Sequence, residues 1–338
     1  MIKRALVLGG GGFIGGHLVR RLQSEGYWVR SVDLKHHEYG AKPDEFIQGN
    51  LSDSKIAQES VWLSKSTVFD EVYQLAADMG GAGYIFTGEN DADVMFNSAT
   101  INLNILKSLV GLKQKTNLKT PKIFYSSSAC IYPDSKQKSS RIKGLREEDA
   151  YPAEPDSEYG WEKLFSERLY MAFYKNHGID SRIARFHNIF GPEGTWQGGK
   201  EKAPAAICRK VALAESSGEI EIWGDGKQTR SFLYVEDCLD AVRKLMDSNY
   251  LNPVNIGSDV KKSINEIVRI AASFEGKNLR IRHIPGPQGV RGRNSDNALA
   301  KRVLSWEFGY PLEIGLRETY FWIKSMLQKN KQGEIRGI

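Results

Sequence analysis

Ala5-Leu6-Val7-Leu8-Gly9-Gly10-Gly11-Gly12-Phe13-Ile14-Gly15 is the stretch that decides the fold. Four apolar residues read as a buried strand. Gly9, Gly12 and Gly15 then follow with G-x-x-G-x-x-G spacing. Glycines there allow a tight turn and let the backbone approach a pyrophosphate closely. The spacing of Leu18 and Leu22, with the stop at Gly26, predicts a helix over residues 12–25. The N-terminus of that helix would offer free N–H groups and a positive dipole end to a phosphate.

Asp33 sharpens this reading. It ends the next strand-like run, residues 28–33, about 20 residues beyond the glycine turn, where a carboxylate can accept from a ribose 2′-OH. The same carboxylate would repel a 2′-phosphate, so the expected dinucleotide is NAD rather than NADP.

Further strands are predicted over residues 71–77, 122–126 and 180–186. Helical faces lie between them, one with Val94, Ile101, Ile105 and Leu109 and another with Trp161, Phe165 and Leu169. Strand–helix alternation predicts an α/β fold with a Rossmann-type, doubly wound parallel sheet. After Asn188 glycines and charges cluster and strand signals shorten. We therefore expect residues 1–187 to form the NAD-binding domain. Residues 188–338 would be mainly a smaller C-terminal substrate lobe, with some segments returning to the first domain. A last amphipathic helix would carry Leu316, Tyr320, Ile323 and Leu327, followed by a polar, fraying tail from Gln328.

Composition excludes other classes. The chain has 338 residues, 41% hydrophobic and 26% charged, which suits about two domains' worth of globular protein and not a disordered one. The net charge of +6 comes from scattered lysines and arginines, so neither nucleic acid nor a membrane surface is expected. The N-terminal apolar run is too short for a signal peptide, and no stretch is long enough to span a bilayer. Cys130, Cys208 and Cys238 are too few for a disulfide framework, so a reducing, cytoplasmic setting is expected. The six histidines and three cysteines show no metal-ligand spacing. His36-His37 reads as a solvated turn near the adenosine end. His187 reads as a pocket-lining or a structural histidine.

Two segments carry chemistry. Tyr159-Gly160-Trp161-Glu162-Lys163 puts Tyr159 and Lys163 on one helical face. There an ammonium would favour the phenolate and lower the tyrosine pKa. Ser126-Ser127-Ser128 closes a strand, and the C-terminal ends of such strands are where ligands bind.

With these words in place the chain resembles the extended short-chain dehydrogenase/reductase superfamily, and in it the nucleotide-sugar epimerases and dehydratases. The resemblance runs on through Gln74-Leu75-Ala76-Ala77, Arg185-Phe186-His187-Asn188-Ile189-Phe190-Gly191-Pro192, Gly224-Asp225-Gly226-Lys227-Gln228-Thr229-Arg230 and Asn255-Ile256-Gly257-Ser258. It implies cofactor contacts from Gly9, Gly12, Phe13, Ile14, Gly15, Asp33, Asn50, Leu51, Leu75, Ala76, Ala77, Tyr159 and Lys163. Asn50 stands where many relatives have Asp, and its amide can still accept and donate. Asn188 and Arg230 would hold a sugar-nucleotide diphosphate, since an arginine fork matches phosphate oxygens.

The residues after Ser128 narrow the chemistry. Dehydratases of this superfamily carry an Asp-Glu pair there; this chain has Ala129-Cys130. A thiolate can remove a carbon-bound proton. Ser128-Ala129-Cys130-Ile131-Tyr132-Pro133, Gly198-Gly199-Lys200-Glu201-Lys202-Ala203-Pro204 and Gly289-Val290-Arg291-Gly292-Arg293-Asn294-Ser295-Asp296 are similar to the GDP-mannose 3,5-epimerase family. That resemblance implies catalytic roles for Ser128, Cys130, Tyr159, Lys163 and Lys202, with Lys202 the acid partner of the thiol and Lys200 its rival. It implies substrate contacts from Gly88, Ser128, Ala129, Cys130, Asn188, Glu201, Lys202, Ala203, Lys210, Gln228, Arg230 and Arg293, with Arg291 the rival of Arg293. The expected partners are a GDP-sugar and a second copy of the chain, docked through helices near residues 90–110 and 158–177. Sugar-end contacts come from loops, so a GDP-heptose or 6-deoxy sugar stays open. A non-catalytic NAD-binding regulator is the remote alternative. Residues 135–144 carry no readable chemistry.

Overall fold

A computed structural model describes residues 2–116 and 118–331. The opening residues form the predicted strand β1 (Arg4–Leu8) and helix α1 (Phe13–Ser24). Strands β2 (Trp28–Asp33), β3 (Glu45–Gln48), β4 (Glu71–Gln74), β5 (Lys122–Ser128) and β6 (Ser181–Phe186) follow, together with helices α2 (Ser54–Val61), α3 (Ala82–Ile85), α4 (Asp91–Thr116) and α5 (Glu158–His177).

These strands lie in one parallel sheet of seven. Val254–Ile256 is at one edge, followed by β6, β5, β4, β1, β2 and β3. The order reverses between β1 and β4, which makes a crevice at the strands' C-terminal ends, where such sheets bind ligands. Ala5, Leu6, Val7 and Leu8 are fully buried, with apolar layers on both sheet faces, as a two-sided parallel sheet requires.

Boundaries differ from expectation in instructive ways. β4 stops at Gln74 instead of continuing to Ala77. The Gln74 side chain accepts from Ala76 N–H at 3.1 Å and donates to Ala76 O at 3.0 Å, which turns the backbone out of the sheet. β5 continues two residues past the expected Ser126, so Ser128 is its last residue. β3 and α2 gave no clear sequence signal. β3 is a half-exposed edge strand, and α2 is short and starts on an Asp53 cap.

After β6 the chain leaves the sheet and comes back. Helix α6 (Ala203–Leu213) precedes Glu219–Trp223, which pairs with Arg280–Ile284. Thr229–Ser231 is the centre of a three-stranded sheet with Lys261–Ser263 and Gly292–Arg293. Between these pieces, helix α7 (Val235–Asp247) and the edge strand Val254–Ile256 pack on the main body. The C-terminal helix Leu312–Lys331 buries Leu316, Tyr320 and Ile323, with Leu327 half-buried. The tail's last residues, 332–338, lie outside the described residues. No helix among the described residues is long and apolar enough to cross a membrane.

Helix α5 is fixed to the sheet by a buried ion pair. Arg185 on β6 donates to both oxygens of Glu167 on α5, at 2.9 and 2.8 Å. Ser127 on β5 donates to the same carboxylate at 2.5 Å. The helix that carries Tyr159 and Lys163 is thus registered against the strand that ends in Ser128.

Candidate active site

One cavity of about 1040 Å³ runs from the glycine turn, along the ends of β1, β4 and β5, to the C-terminal lobe. At its cofactor end lie Gly9, Gly12, Phe13, Ile14, Gly15, Asp33, Asn50, Leu51, Leu75, Ala76 and Ala77.

The turn is built for close approach. Gly9 has φ +87°, and a Cβ there would lie 2.7 Å from Ala76 N. A Cβ on Gly15 would meet Gly9 O at 2.1 Å. Gly12 caps α1 without a side chain, and the first turn of α1 holds no acid, so its N–H groups remain for an anion. Asp33 accepts from Gly11 N–H at 2.9 Å and Lys35 N–H at 3.3 Å. Burial raises its carboxyl pKa, opposed by those backbone N–H groups. The residues present fit a dinucleotide: a side-chain-free pyrophosphate cradle beside a carboxylate at the end of β2.

The histidine reading needs correcting. His36 is exposed and stacked on Phe46 at 3.9 Å. The side chain of His37 is buried, packed against Gly16 with Nε2 3.8 Å from Glu193. It is not a solvated turn, because the glycine face of α1 leaves room for the ring. His187 is structural: its Nε2 is 3.0 Å from Asn255 Oδ1, and burial pulls its pKa down to about 3.

Ser128, Ala129, Cys130, Tyr159 and Lys163 form the middle of the cavity. Lys163 donates to Ser126 O at 3.1 Å and sits 5.6 Å from the centre of the Tyr159 ring. Burial lowers the Lys163 pKa. Burial also pushes the Tyr159 phenol well above its ordinary value; Cys130 adds to the rise and Ser128 opposes it through a hydrogen bond. This reverses the lowering expected from the pair alone. Desolvation of the buried phenolate is the largest cause.

Cys130 is also held up by burial and then by Asp156, while Arg293 and Ser128 pull it down. Arg293 Nη1 donates to Cys130 Sγ at 3.2 Å, Nε donates to Gln137 Oε1 at 2.7 Å, and Nη2 pairs with Asp156. Lys202 lines the same cavity, and its ammonium makes no hydrogen bond or ion pair among the described residues. Burial lowers its pKa, and Cys130 and then Cys238 oppose the fall. Burial thus favours the uncharged form of both groups, and Arg293 is the cation that opposes it at the thiol.

Geometry separates both rival pairs. Lys200 also lines the cavity, but its ammonium is engaged, 3.7 Å from Asp78 Oδ1 and 3.8 Å above the Tyr84 ring. Arg291 makes a two-pronged pair with Asp225, at 2.7 and 2.9 Å, outside the cavity. Among the described residues Arg230 donates only to carbonyls, those of Thr229, Gln288 and Val290. Burial, and then Arg293, pull its pKa down to about 9. Asn188 lines the wall at φ +47° and donates to Ser231 O at 2.8 Å; Asn tolerates that conformation better than most residues. Gln228 leaves a buried Oε1 without a partner. Lys210 donates to Glu221 O at 2.7 Å, and Glu201 pairs with Arg209 at 2.9 Å; both line the cavity with Ala203. Gly88 does not line it. It sits in the turn after α3, where Ile85 and Phe86 form the wall.

Sequence reasoning missed Asp156 and Gln137. Asp156 precedes the Ser157 cap of α5 and looks like an ordinary helix-start acid. Gln137 lies in the segment read as carrying no chemistry. No group of three or more metal-ligating side chains is found among the described residues.

Comparison with known proteins gives the family. Residues 5–257 match the NAD dependent epimerase/dehydratase family. The chain is 46% identical to GDP-mannose 3,5-epimerase 1 of Oryza sativa subsp. indica, over 97% of this chain and 83% of that protein. The fold matches UDP-glucose 4-epimerase of Thermotoga maritima, solved with UDP-glucose, at a TM-score of 0.82 and 23% identity, covering 96% and 99% of the two chains. It also matches UDP-glucuronic acid 4-epimerase of Bacillus cereus, solved with UDP-glucuronic acid and NAD, at a TM-score of 0.77 and 23% identity over 96% and 99%.

The Cys130 environment gives a pH prediction. Replacing Arg293 by Met removes the cation that lowers the thiol pKa and leaves Asp156, which raises it. The midpoint of Cys130 alkylation, followed peptide by peptide in a mass spectrometer, should move to higher pH. Asp156→Asn should move it lower. Profiles that coincide with the unaltered protein would show that these charges do not govern the thiol.

Proposed function

The chain belongs to the NAD-dependent epimerase/dehydratase family, and from that premise we infer that it inverts C3 and C5 of GDP-D-mannose. The product is GDP-L-galactose, or GDP-L-gulose when C5 alone inverts. The observation that carries this reading is a thiol and an ammonium unpaired among the described residues, Cys130 and Lys202, on the wall of one cavity.

Gly9, Gly12, Gly15 and Asp33 would hold the dinucleotide. Arg230 and Asn188 bind the diphosphate of the sugar nucleotide, and Arg293 grips the sugar beside Cys130. The chemistry that NAD supplies when bound is reversible oxidation at C4. Tyr159, assisted by Ser128, takes the proton of the C4 hydroxyl and later returns it. Lys163 keeps positive charge beside the phenol. With a carbonyl at C4, the protons on C3 and C5 become acidic, because each carbanion is an enolate. Cys130, as the thiolate, removes a proton from one face and Lys202, as the ammonium, delivers one to the other. Once the thiol has lost its proton to solvent and the amine has regained one, repetition at the second carbon inverts both centres.

All three cysteines are free, and the mechanism needs Cys130 reduced, which suits a cytoplasmic setting. Helices α4 and α5 pack together and leave Phe96, Leu103, Trp161 and Phe165 exposed. That apolar face supports a homodimer through the helix pair.

Incubation with GDP-mannose in D₂O should place deuterium at C3 and C5 of galacto and gulo products, read by NMR. Cys130→Ser should abolish inversion while NAD and GDP-mannose still bind; unchanged inversion would remove Cys130 from the mechanism. Phe165→Glu should give a monomer in sedimentation, and an undisturbed dimer would place the interface elsewhere.

A further inference from the structure

Two loops close over the cavity beside Lys202. One is the 78–86 segment after β4; the other is the 198–202 segment before α6. They are joined through their backbones: Gly81 N–H donates to Lys200 O at 2.9 Å. A Cβ on Gly81 would lie 2.2 Å from Glu201 O, so only glycine lets the loops come this close.

They are also joined by charge. The Lys200 ammonium lies 3.8 Å over the Tyr84 ring and 3.7 Å from Asp78 Oδ1. Tyr84 OH donates to that same oxygen at 2.9 Å. Asp78 is itself anchored to α4. Asn97 Nδ2 donates to its other oxygen at 3.0 Å, and Asp78 N–H donates to Ser98 Oγ at 3.0 Å. On the other side Glu201 is tied to Arg209 of α6. Lys200 and Glu201 line the cavity with their charges held by anchors, whereas the ammonium of Lys202, at the N-cap of α6, lines it with no such anchor among the described residues.

We propose that Asp78, Tyr84 and Lys200 form a clamp that positions Lys202 opposite Cys130, and that Lys200 acts as a positioning residue for proton delivery. This rests on Lys202 being the acid of the mechanism above. The clamp does two things. It fixes the loop from which Lys202 projects, and it closes one side of the cavity beside that ammonium. The charged or titratable groups that act on Lys202 are Cys130 of the 3₁₀ turn after β5 and Cys238 of α7, and neither is a carboxylate. Opening the clamp would hydrate Lys202 and return its pKa towards the ordinary lysine value.

Lys200→Met keeps the stem and removes both the ion pair and the cation–π contact. Displacement of a reacting group by about 1 Å costs on the order of 100-fold, so formation of inverted products from GDP-mannose should slow by up to that factor. Loss of deuterium from C5-deuterated substrate, which needs C4 oxidation and Cys130 but not Lys202, should continue at the original rate. The alkaline limb of the inversion rate should move to higher pH, and Lys200→Arg, which can pair and stack in the same way, should restore it. Inversion at the original rate in Lys200→Met would overturn the clamp. So would an equal slowing of inversion and deuterium loss, which marks general disruption. Lys202→Ala is the control: if it inverts normally, the reading of Lys202 itself fails, independently of the clamp.

Discussion

The site depends on one guanidinium. Arg293 lies in a two-residue strand of the C-terminal lobe, paired with Arg230 in the neighbouring strand. Its side chain crosses into the body of the protein and meets Cys130, Gln137 and Asp156. A buried guanidinium with a carboxylate and two further acceptors is a geometry that can balance its desolvation. It fixes the lobe over the end of β5 and puts a permanent cation against the thiol. Asp156 is the carboxylate that acts on both Arg293 and Arg230. Two arginines facing one acid leave positive charge at the cavity, where the diphosphate of a sugar nucleotide needs it.

The body must be equally fixed for that contact to matter. The Glu167–Arg185 pair holds α5 against β5 and β6, and removing one member of such a pair typically costs about 3–5 kcal/mol. Ser128, Tyr159 and Lys163 thus share one rigid frame, while Lys202 reaches them from a clamped loop. Dryness links the two halves chemically. Burial raises the thiol and the phenol and lowers both lysines, so it favours the uncharged form of every proton carrier in the cavity.

Much of this was legible in the sequence. The glycine turn and Asp33 are local, so spacing alone places them at the ends of β1 and β2. Tyr159 and Lys163 share a helix face, and that too is local. What escaped depends on partners distant in the chain. Lys200 and Lys202 look alike until Asp78 and Tyr84 take one of them, and Arg291 and Arg293 look alike until Asp225 takes the other. The rise of the Tyr159 pKa escaped because burial is a property of packing and not of spacing. Gly88 was carried over by resemblance, and here the loop geometry puts Ile85 and Phe86 on the wall instead.

The central claim is that Cys130 and Lys202 work from opposite faces of one sugar. Lys202→Ala incubated with C5-deuterated GDP-mannose tests it most directly. The account predicts that deuterium is lost from C5 with the manno configuration retained, because the thiol still removes and returns the proton on its own face. Inverted product formed at the original rate without Lys202 would contradict it.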